Sequence, residues 1–423
     1  MSEDAGLVAQ LLTLDDVEFR GKTVILRVDI NSPVDPETKR ILDDTRIVRC
    51  LPTVRELAEG GAKVVMLAHQ ASSLEYDNYT ELEQHAQILA DRLGRAVKYT
   101  DDLAGPTARE MVRSLEPGEI LLLNNVRIHL EEDPLFSDKL KLSPAQQAKT
   151  VLVRKLAPLA DLYVCDAFAA VHRSEPSLVG FPEILPAAAG RLFVEELSEI
   201  ESVMRAPARP ALFVLGGAKI DDAFKMMSNV LESGSADQVL TVGLTGQIFL
   251  LAAGYRLGEA SESLIRSRKL DVFVEPARKL LITYGERILY PLDVATVENG
   301  ERREFLREDL PVQSGIVDIG HATVEALQAV IRTAGSIFMN GPAGVYERAG
   351  SDYGTREVWT AVAECHARSI IGGGDTILAA KRFGLIDRYS YVCTAGGGLV
   401  RILSGEKVPV VEALRRAAAR GGA

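Results

Sequence analysis

Cysteine is scarce in this chain of 423 residues, and its four copies, Cys50, Cys165, Cys365 and Cys393, lie far apart. They make no C-x-x-C pair and no Cys/His cluster at ligand spacing, a pattern that speaks against structural zinc and fits a reducing compartment. Core thiols are the plainer reading. Long apolar runs are missing as well: nowhere do 18 apolar residues follow one another, so no membrane-spanning helix is expected. The segment Met1 to Leu12 carries acidic residues and no basic stretch ahead of an apolar one, which makes a cytoplasmic location the expectation. Positive charge is not in surplus, with 48 Lys+Arg against 59 Asp+Glu and a net charge of −11. That balance argues against a general nucleic-acid binder and leaves room for a small phosphorylated substrate. Two phosphate-binding signatures, G-x-G-x-x-G and G-x-x-x-x-G-K-[ST], do not occur after the strands where they belong.

What is present is a large core-forming capacity, 47% hydrophobic residues, in a length that favours two or three domains. Apolar strand candidates alternate with amphipathic segments. Thr23 to Val28 precedes a helix near Thr53 to Gly60, and Ala62 to Ala68 precedes one around Leu82 to Leu93. Ile120 to Leu123, the helix candidate Pro144 to Leu156 and strand Leu162 to Cys165 continue the series. This alternation predicts βαβ units and a mainly parallel sheet. Pro176, Pro182 and Pro186 interrupt it, a helix from Leu192 to Met204 follows, and Pro207 and Pro210 come before a fresh strand at Ala211. We therefore expect a first domain over residues 1–190, a bridging helix and hinge over 191–208, and a second domain over 209–398. The second series contains strand candidates at Ala211 to Leu215, Gln238 to Val242, Gly315 to Asp318, Ser336 to Met339, Arg368 to Ile371 and Tyr391 to Cys393.

Glycines punctuate strand ends in that second half: Gly216 and Gly217, Gly341 and Gly344, Gly372 to Gly374, Gly396 to Gly398. Phosphates are held well where successive N–H groups point inward and a helix begins. Gly372 to Thr376, followed by the helix-forming Ile377 to Phe383, suits that chemistry. Asp375 suits either of two roles, orienting Mg²⁺ through a hard carboxylate oxygen or capping the next helix. Lys219, directly after Gly216, Gly217 and Ala218, stands where an ammonium can enter a phosphate site or remain an ordinary solvated lysine.

The first half supplies cations instead. Arg27 and Asp29 share a face of the first strand candidate, Asn31 continues that alternation, and Arg46 follows the Asp35 to Lys39 loop. Arg127 follows Ile120 to Leu123, while His172 and Arg173 follow the Tyr163 to Phe168 segment, so separate βα loops can gather an anion pocket. His69 ends an apolar strand, whereas His85 falls on a helix face.

These segments together resemble the phosphoglycerate kinase family. LRVDINSP (Leu26 to Pro33), DDTRI (Asp43 to Ile47) and YVCDAFAAVHRSEPS (Tyr163 to Ser177) carry the resemblance in the first half. GGAK (Gly216 to Lys219), NGPAGVYE (Asn340 to Glu347), GGGDT (Gly372 to Thr376) and TAGGG (Thr394 to Gly398) carry it in the second. The motifs keep the family's order over nearly the whole chain, and the length and the AHQ segment resemble its archaeal branch. The resemblance implies an α/β fold of two Rossmann-like three-layer lobes with mainly parallel sheets, separated by a cleft and joined by a helix. The first lobe would bind the acid, the second the nucleotide, and residues 399–423 would return to the first lobe. It implies acid-substrate contacts from Asp29, Asn31, Arg46, His69, Arg127 and Arg173, with Arg27 in the same basic patch. It implies nucleotide contacts from Lys219, Gly341, Glu347, Gly372, Gly373, Gly374, Asp375, Thr376, Gly396, Gly397 and Gly398, with Asp375 at the metal. Arg46, Lys219, Gly373 and Gly396 would serve the transfer itself. The implied reaction is reversible phosphoryl transfer between ATP and 3-phosphoglycerate, giving ADP and 1,3-bisphosphoglycerate, with Mg²⁺, in a cytoplasmic monomer with no nucleic-acid or membrane partner. Closing of the lobes would bring the two anionic reactants together.

The chain departs from the family's pattern at four places. An HLGRP-like segment reads HQASS, His69 to Ser73, so Ser72 brings no guanidinium. An ENLR-like segment reads NNVR, Asn124 to Arg127. Ala223 stands where many members have a second lysine, and Lys225 lies two positions on. The terminal motif is TAGGG where TGGGA is usual. The alternatives are a related kinase using another anionic carboxylic acid, and a catalytically weak nucleotide- or metabolite-binding protein.

Overall fold

The computed structural model describes residues 6–71 and 76–421. The chain divides into two compact units, one made of Met1–Ser198 with Lys407–Ala423 and the other of Glu199–Glu406. The helix Arg191–Arg205 carries the division point.

Six strands build the first unit's sheet: β1 (Thr23–Arg27), β2 (Lys63–Leu67), β3 (Lys98–Tyr99), β4 (Ile120–Leu122), β5 (Leu162–Cys165) and β6 (Ala187–Ala189). Their order is β3-β4-β2-β1-β5-β6, and every pairing is parallel. Apart from the short edge strand β3, the strands are buried on both faces, as near-continuous apolar runs require. Val24, Leu26, Val64, Met66, Ile120 and Leu122 face one core cluster, while Ile25, Val65 and Leu121, pointing the other way, are buried as fully. That cluster is closed by the helix Thr45–Glu59, whose Ile47, Cys50, Leu51, Val54, Leu57 and Ala58 recur at helical spacing. Pro52 lies inside this helix, with its ring on the exposed side. The apolar stripe is therefore unbroken.

The second unit repeats the plan. Its strands are β7 (Ala211–Leu215), β8 (Gln238–Thr241), β9 (Ile288–Leu289), β10 (Asp293–Glu298), β11 (Glu301–Leu306), β12 (Ile316–Ile319), β13 (Ser336–Asn340), β14 (Arg368–Ile371) and β15 (Tyr391–Val392). Six of them form a parallel sheet in the order β15-β14-β13-β7-β8-β9. The remaining three, ordered β11-β10-β12, are antiparallel. The Gly315 to Asp318 segment, expected in the parallel series, thus belongs as β12 to this small separate sheet. Its hairpin turns at Asn299 and Gly300, both at positive φ, the signature of a two-residue connection matched to strand twist.

Topology locates the functional ends. In the first sheet, β1 has β2 on one side and β5 on the other, so the chain leaves β1 in one direction and later returns on the opposite side. In the second, β7 stands in the same way between β8 and β13. Loops diverge from such switch points and leave an opening at the strands' carboxyl ends. The final helix, Pro409–Gly421, packs within the first unit, where Val410 N–H donates to Val171 O at 3.3 Å and Arg416 pairs with Glu183 at 2.8 Å.

Asp166, one residue beyond β5, ties that sheet to the helix Arg191–Arg205. It is wholly buried, its Oδ1 accepts from Phe193 N at 3.0 Å, and a Cβ on Gly190 would fall 2.3 Å from the same oxygen. Burial pushes its carboxyl up to about 7, against the hydrogen bonds from Phe193, Thr53 and Leu192. An acid whose folded pKa is raised holds its proton in the folded chain while the unfolded chain has lost it, so stability falls as pH rises from about 4 to about 7. Asp166→Asn, neutral throughout, is expected to gain on the wild type across that window by up to ~4 kcal/mol. Urea unfolding midpoints at pH 5 and pH 8 test this. A difference between the two proteins that is the same at both pH values contradicts it.

Candidate functional site

The loops that leave the first sheet at its switch point gather charge. Arg27 is the last residue of β1 and is 2% exposed; Asp29 follows at 6%. Arg27 donates through Nε to Ser177 Oγ at 3.0 Å, through Nη1 to the carbonyl of Val28, and approaches His69 Nδ1 with Nη2 at 3.1 Å. Asp29 Oδ1 accepts from Asn31 N at 3.0 Å and pairs with Arg46 Nη1 at 3.2 Å. Burial works to raise the Asp29 carboxyl, but Arg46, then His69 and Arg27, with the Asn31 N–H, outweigh it and hold the acid well below the usual carboxylate range. Asn31 Oδ1 in turn accepts from Ala71 N at 2.9 Å, which fixes the loop after β2 against the loop after β1.

His69 is buried, and burial pushes its imidazole well below the ordinary histidine range; Arg27, Arg127 and Arg173 reinforce the effect and Asp29 opposes it. Arg127 donates to the carbonyl of Ala71, and its own N–H is held by Asn125 Oδ1 at 3.1 Å. Burial and then Arg173 lower its pKa. Arg173 Nη1 lies 3.6 Å from Glu175 Oε1. The structure thus brings Asp29, Asn31, Arg46, His69, Arg127 and Arg173 around one switch point. A hollow of about 340 Å³ beside them is lined by Asn31, Ser32, Pro33, Val34, Arg46, Gln70 and Asn78. Ser72 and Ser73, the altered part of HQASS, lie outside the described residues.

Backbone forms the corresponding place in the second unit. Gly216 N donates to Asn340 O at 2.8 Å and Gly217 N to Pro342 O at 2.8 Å, which binds the loop after β7 to the loop after β13. The approach is close: a Cβ on Gly341, which has φ +88°, would lie 2.1 Å from Gly216 O. Only glycine fits there. Gly373, at φ +90°, precedes the helix Gly374–Arg382 and rests on the Asn340 side-chain amide, which donates to Gly372 O at 3.1 Å. Thr376 is buried and its Oγ1 accepts from Gly341 N at 2.7 Å.

A cavity of about 70 Å³ is lined by Gly216, Gly217, Ala218, Lys219, Asp222, Asn340, Gly341, Gly373, Gly374, Asp375, Thr376, Gly396, Gly397 and Val400. Of the residues singled out in the sequence, three stand apart from this lining. Gly372 packs under Leu399, where a Cβ would meet Cδ2 at 2.1 Å; Gly398 is buried; and Glu347 is exposed near Tyr346, whose hydroxyl is pushed up by burial and by the charges of Glu347 and Asp375. Lys225 points elsewhere: it pairs with Asp221 at 2.8 Å and lines a different groove with Phe224 and Tyr284. It does not replace a lysine at Ala223, which is buried.

Several polar residues went unassigned in the sequence. Gln70 accepts from Ser32 N at 2.9 Å and donates to Ser32 O at 2.8 Å, while Asn125 clamps Gln70 and Thr80. His85, on the helix Glu83–Leu93, is buried with Nε2 3.1 Å from Gln70 Oε1. Glu132 and Glu175 lie beneath the arginines; burial pushes Glu132 up to about 7, against Arg27 and the donors of Ser177, and it raises Glu175 as well. Asp222 lines the second cavity three residues after Lys219, and burial lifts its carboxyl against the pull of that lysine. The only sequence signal for Gln70, Asn125, Glu175 and Ser177 was membership of the quoted motifs; for Asp222 it was the i, i+3 spacing from Lys219.

Comparison with known proteins agrees with this geometry. Residues 14–406 match the family model described as phosphoglycerate kinase. The phosphoglycerate kinase of Methanothermobacter thermautotrophicus is 45% identical over 402 residues, covering 95% of this chain and 96% of that protein. The enzyme of the same name from Methanothermus fervidus is 43% identical over 408 residues, covering 96% and 98%. The crystal structure of phosphoglycerate kinase from Pyrococcus horikoshii superposes with a TM-score of 0.85 at 37% identity, over 97% of this chain and all of that one. The solved structure of phosphoglycerate kinase from Coxiella burnetii gives 0.81 at 29% identity, over 96% and 100%. A parallel sheet with a guanidinium-lined switch point, a second with a glycine-lined one, and relatives alike over their whole length have one explanation: the chain belongs to the phosphoglycerate kinase family, in its archaeal-type branch.

Proposed function

We propose that the chain catalyses reversible phosphoryl transfer between ATP and the carboxylate of 3-phosphoglycerate, giving ADP and 1,3-bisphosphoglycerate. One observation carries this: the switch-point loops of one unit end in guanidinium groups, and those of the other in glycine amides and a lysine. The first set suits a small acid bearing phosphate, and the second suits a polyphosphate chain. Asp29, Asn31, Arg46, His69, Arg127 and Arg173 hold the acid, with Asp29 orienting Arg46 through their ion pair. Gly341, Gly374 and Gly397 enclose the nucleotide phosphates with Thr376, while Gly372 and Gly398 set the backbone of those loops and Glu347 contacts the nucleotide sugar.

The acid's carboxylate is already ionised near neutral pH, so no protein base has to prepare it. Catalysis is then positioning and charge stabilisation at the migrating group. Lys219, Arg46 and the amides of Gly373 and Gly396 supply donors where charge develops. Among the described residues no group of three or more His, Cys, Asp or Glu side chains could hold a metal ion by itself. Mg²⁺ commonly takes one or two carboxylates and completes its shell with phosphate and water oxygens, so exposed Asp375 on the glycine-lined cavity fits it. Bound there with nucleotide, Mg²⁺ supplies charge neutralisation on the phosphate oxygens. In this proposal the chain works as a cytoplasmic monomer on soluble metabolites, consistent with a separate core in each unit. Among the described residues no helix is long and apolar enough to cross a membrane.

Lys219→Ala is expected to lower kcat by about 10²- to 10³-fold, the loss typical of one preorganised donor to developing charge. KM for 3-phosphoglycerate should change little, because the acid is held by other residues. Steady-state ADP release by a variant with unchanged circular dichroism reads this, and a preserved kcat removes Lys219 from catalysis. For the acid, kcat/KM with 3-phosphoglycerate should exceed that with 2-phosphoglycerate and with unphosphorylated 2-hydroxy acids. Arg46→Ala, Arg127→Ala and Arg173→Ala should each lower it by about 10- to 100-fold, the worth of one charge-assisted contact. A large preference for another acid, or selectivity indifferent to all three arginines, would assign the chain to a related kinase with a different acceptor.

A further inference from the structure

Glu132 has no part in the phosphoryl chemistry, yet it is an acid with 1% exposure placed directly under the acid site. Its two oxygens are both engaged by one residue: Oε1 accepts from Ser177 N at 2.5 Å and Oε2 from Ser177 Oγ at 2.7 Å. With its proton committed to Glu132, the Ser177 hydroxyl has only lone pairs to offer, and one of them receives Arg27 Nε at 3.0 Å. Nη1 of the same guanidinium is held by the Val28 carbonyl, which leaves Nη2 aimed at His69 Nδ1 at 3.1 Å. A guanidinium cannot accept a hydrogen bond, so Nδ1 must be the acceptor. The imidazole is then neutral and carries its proton on Nε2. Protonation at Nδ1 would set two donors, both charged, against each other across that contact.

Resting on the assignment of this site to the acid substrate, we propose that Glu132 is a positioning residue: through Ser177 and Arg27 it fixes His69 as the neutral Nε2–H tautomer, a hydrogen-bond donor to the bound acid. Arg27 donates in both directions, through Nη2 to His69 Nδ1 and through Nε to Ser177 Oγ, and Ser177 passes its own proton on to Glu132, which when ionised is the final acceptor and the anchor that holds Ser177 and Arg27 in place. Charged or titratable groups facing its members are Tyr163 and Glu175 at the Glu132 end and Asp29, Arg127 and Arg173 at the His69 end. Burial, acting with those arginines, keeps His69 from charging.

Glu132→Gln keeps the shape but puts an amide N–H₂ or a lone acceptor where two acceptor oxygens stood, so Ser177 loses one of its two anchors and Arg27, no longer fixed through Nε, can release His69 Nδ1. Long-range ¹H–¹⁵N spectra of the histidine rings in the full-length protein, with His69 assigned from His69→Gln, read the tautomer without any turnover. The wild type should show one neutral Nε2–H form of His69. Glu132→Gln should show a mixture, with KM for 3-phosphoglycerate raised about tenfold, one charge-assisted contact's worth, and KM for ATP within about twofold. Ser177→Ala removes the relay hydroxyl, leaves Glu132 in place, and should give the same pair of changes; it decides the matter if Glu132→Gln does not fold. An Nδ1–H or charged His69 in the wild type overturns the proposal. So do variants with an unchanged tautomer, or a changed tautomer with an unchanged KM for the acid. Absence of any turnover by the wild type would sink the phosphotransferase assignment instead, and the spectra would still report on the relay.

Discussion

A guanidinium charge taken out of water at the end of a central strand sets the terms for the acid site. Arg27 is buried where β1 ends, and a charge in that position is stable only if its donors are met and its field is balanced. The fold meets both demands. Ser177, the Val28 carbonyl and His69 take the donors, while Asp29 supplies opposing charge and buried Glu132 and Glu175 add theirs as they ionise. Arg46, Arg127 and Arg173 add further positive charge around the same centre, so four guanidinium groups face three carboxylates. The imbalance leaves the site electropositive, and a small anionic acid is the ligand that would complete it. The segment carrying Arg173 is steadied from the far end of the chain, where Val410 N holds Val171 O.

The second unit solves a different problem with almost no side-chain charge. Polyphosphate needs amides that can be approached closely, and the loops after β7, β13 and β14 meet at distances that exclude a Cβ. Their mutual hydrogen bonds, from Gly216 and Gly217 to the β13 loop and from Gly341 to the Thr376 hydroxyl, make the cavity wall from backbone and one side-chain oxygen. Lys219 and Asp375 are then exposed charges on a frame whose other titratable side chain is Asp222. Under the proposed function, the contrast between the units follows from what each would bind.

Strands buried on both faces read clearly in the sequence because their apolar runs end at glycine, a charge or another polar residue; β1, β2, β4, β5, β7, β8, β13 and β14 all fall within a residue of expectation. The β6 strand was missed because Ala187–Ala189 carries no β-branched or aromatic side chain to signal a strand. The helix expected near Thr53 to Gly60 begins earlier, at Thr45, and carries Pro52 inside it with the ring on the solvent side. The helix expected over Pro144 to Leu156 is two pieces, Pro144–Gln147 and Val151–Leu156, divided where Thr150 turns its hydroxyl back to Gln147 O. Asn299-Gly300 is a strong hairpin signal that stands outside the βα alternation of the sequence. In the site, cations at strand ends were legible from position. Glu132, Gln70 and Asn125 were not, because a buried acid or amide has the same sequence appearance as a solvated one until its partners, tens of residues away, are known.

The account turns on the acceptor being a carboxylate. Phosphorus NMR of the folded protein with Mg-ATP and 3-phosphoglycerate addresses that bond directly, since an acyl phosphate and a phosphate ester resonate apart. ADP together with a new acyl-phosphate resonance, which disappears when ADP is added in excess and ATP is re-formed, is the result the structure leads one to expect. ATP bound but never consumed, or a phosphorylated product lacking the acyl-phosphate resonance, would contradict it.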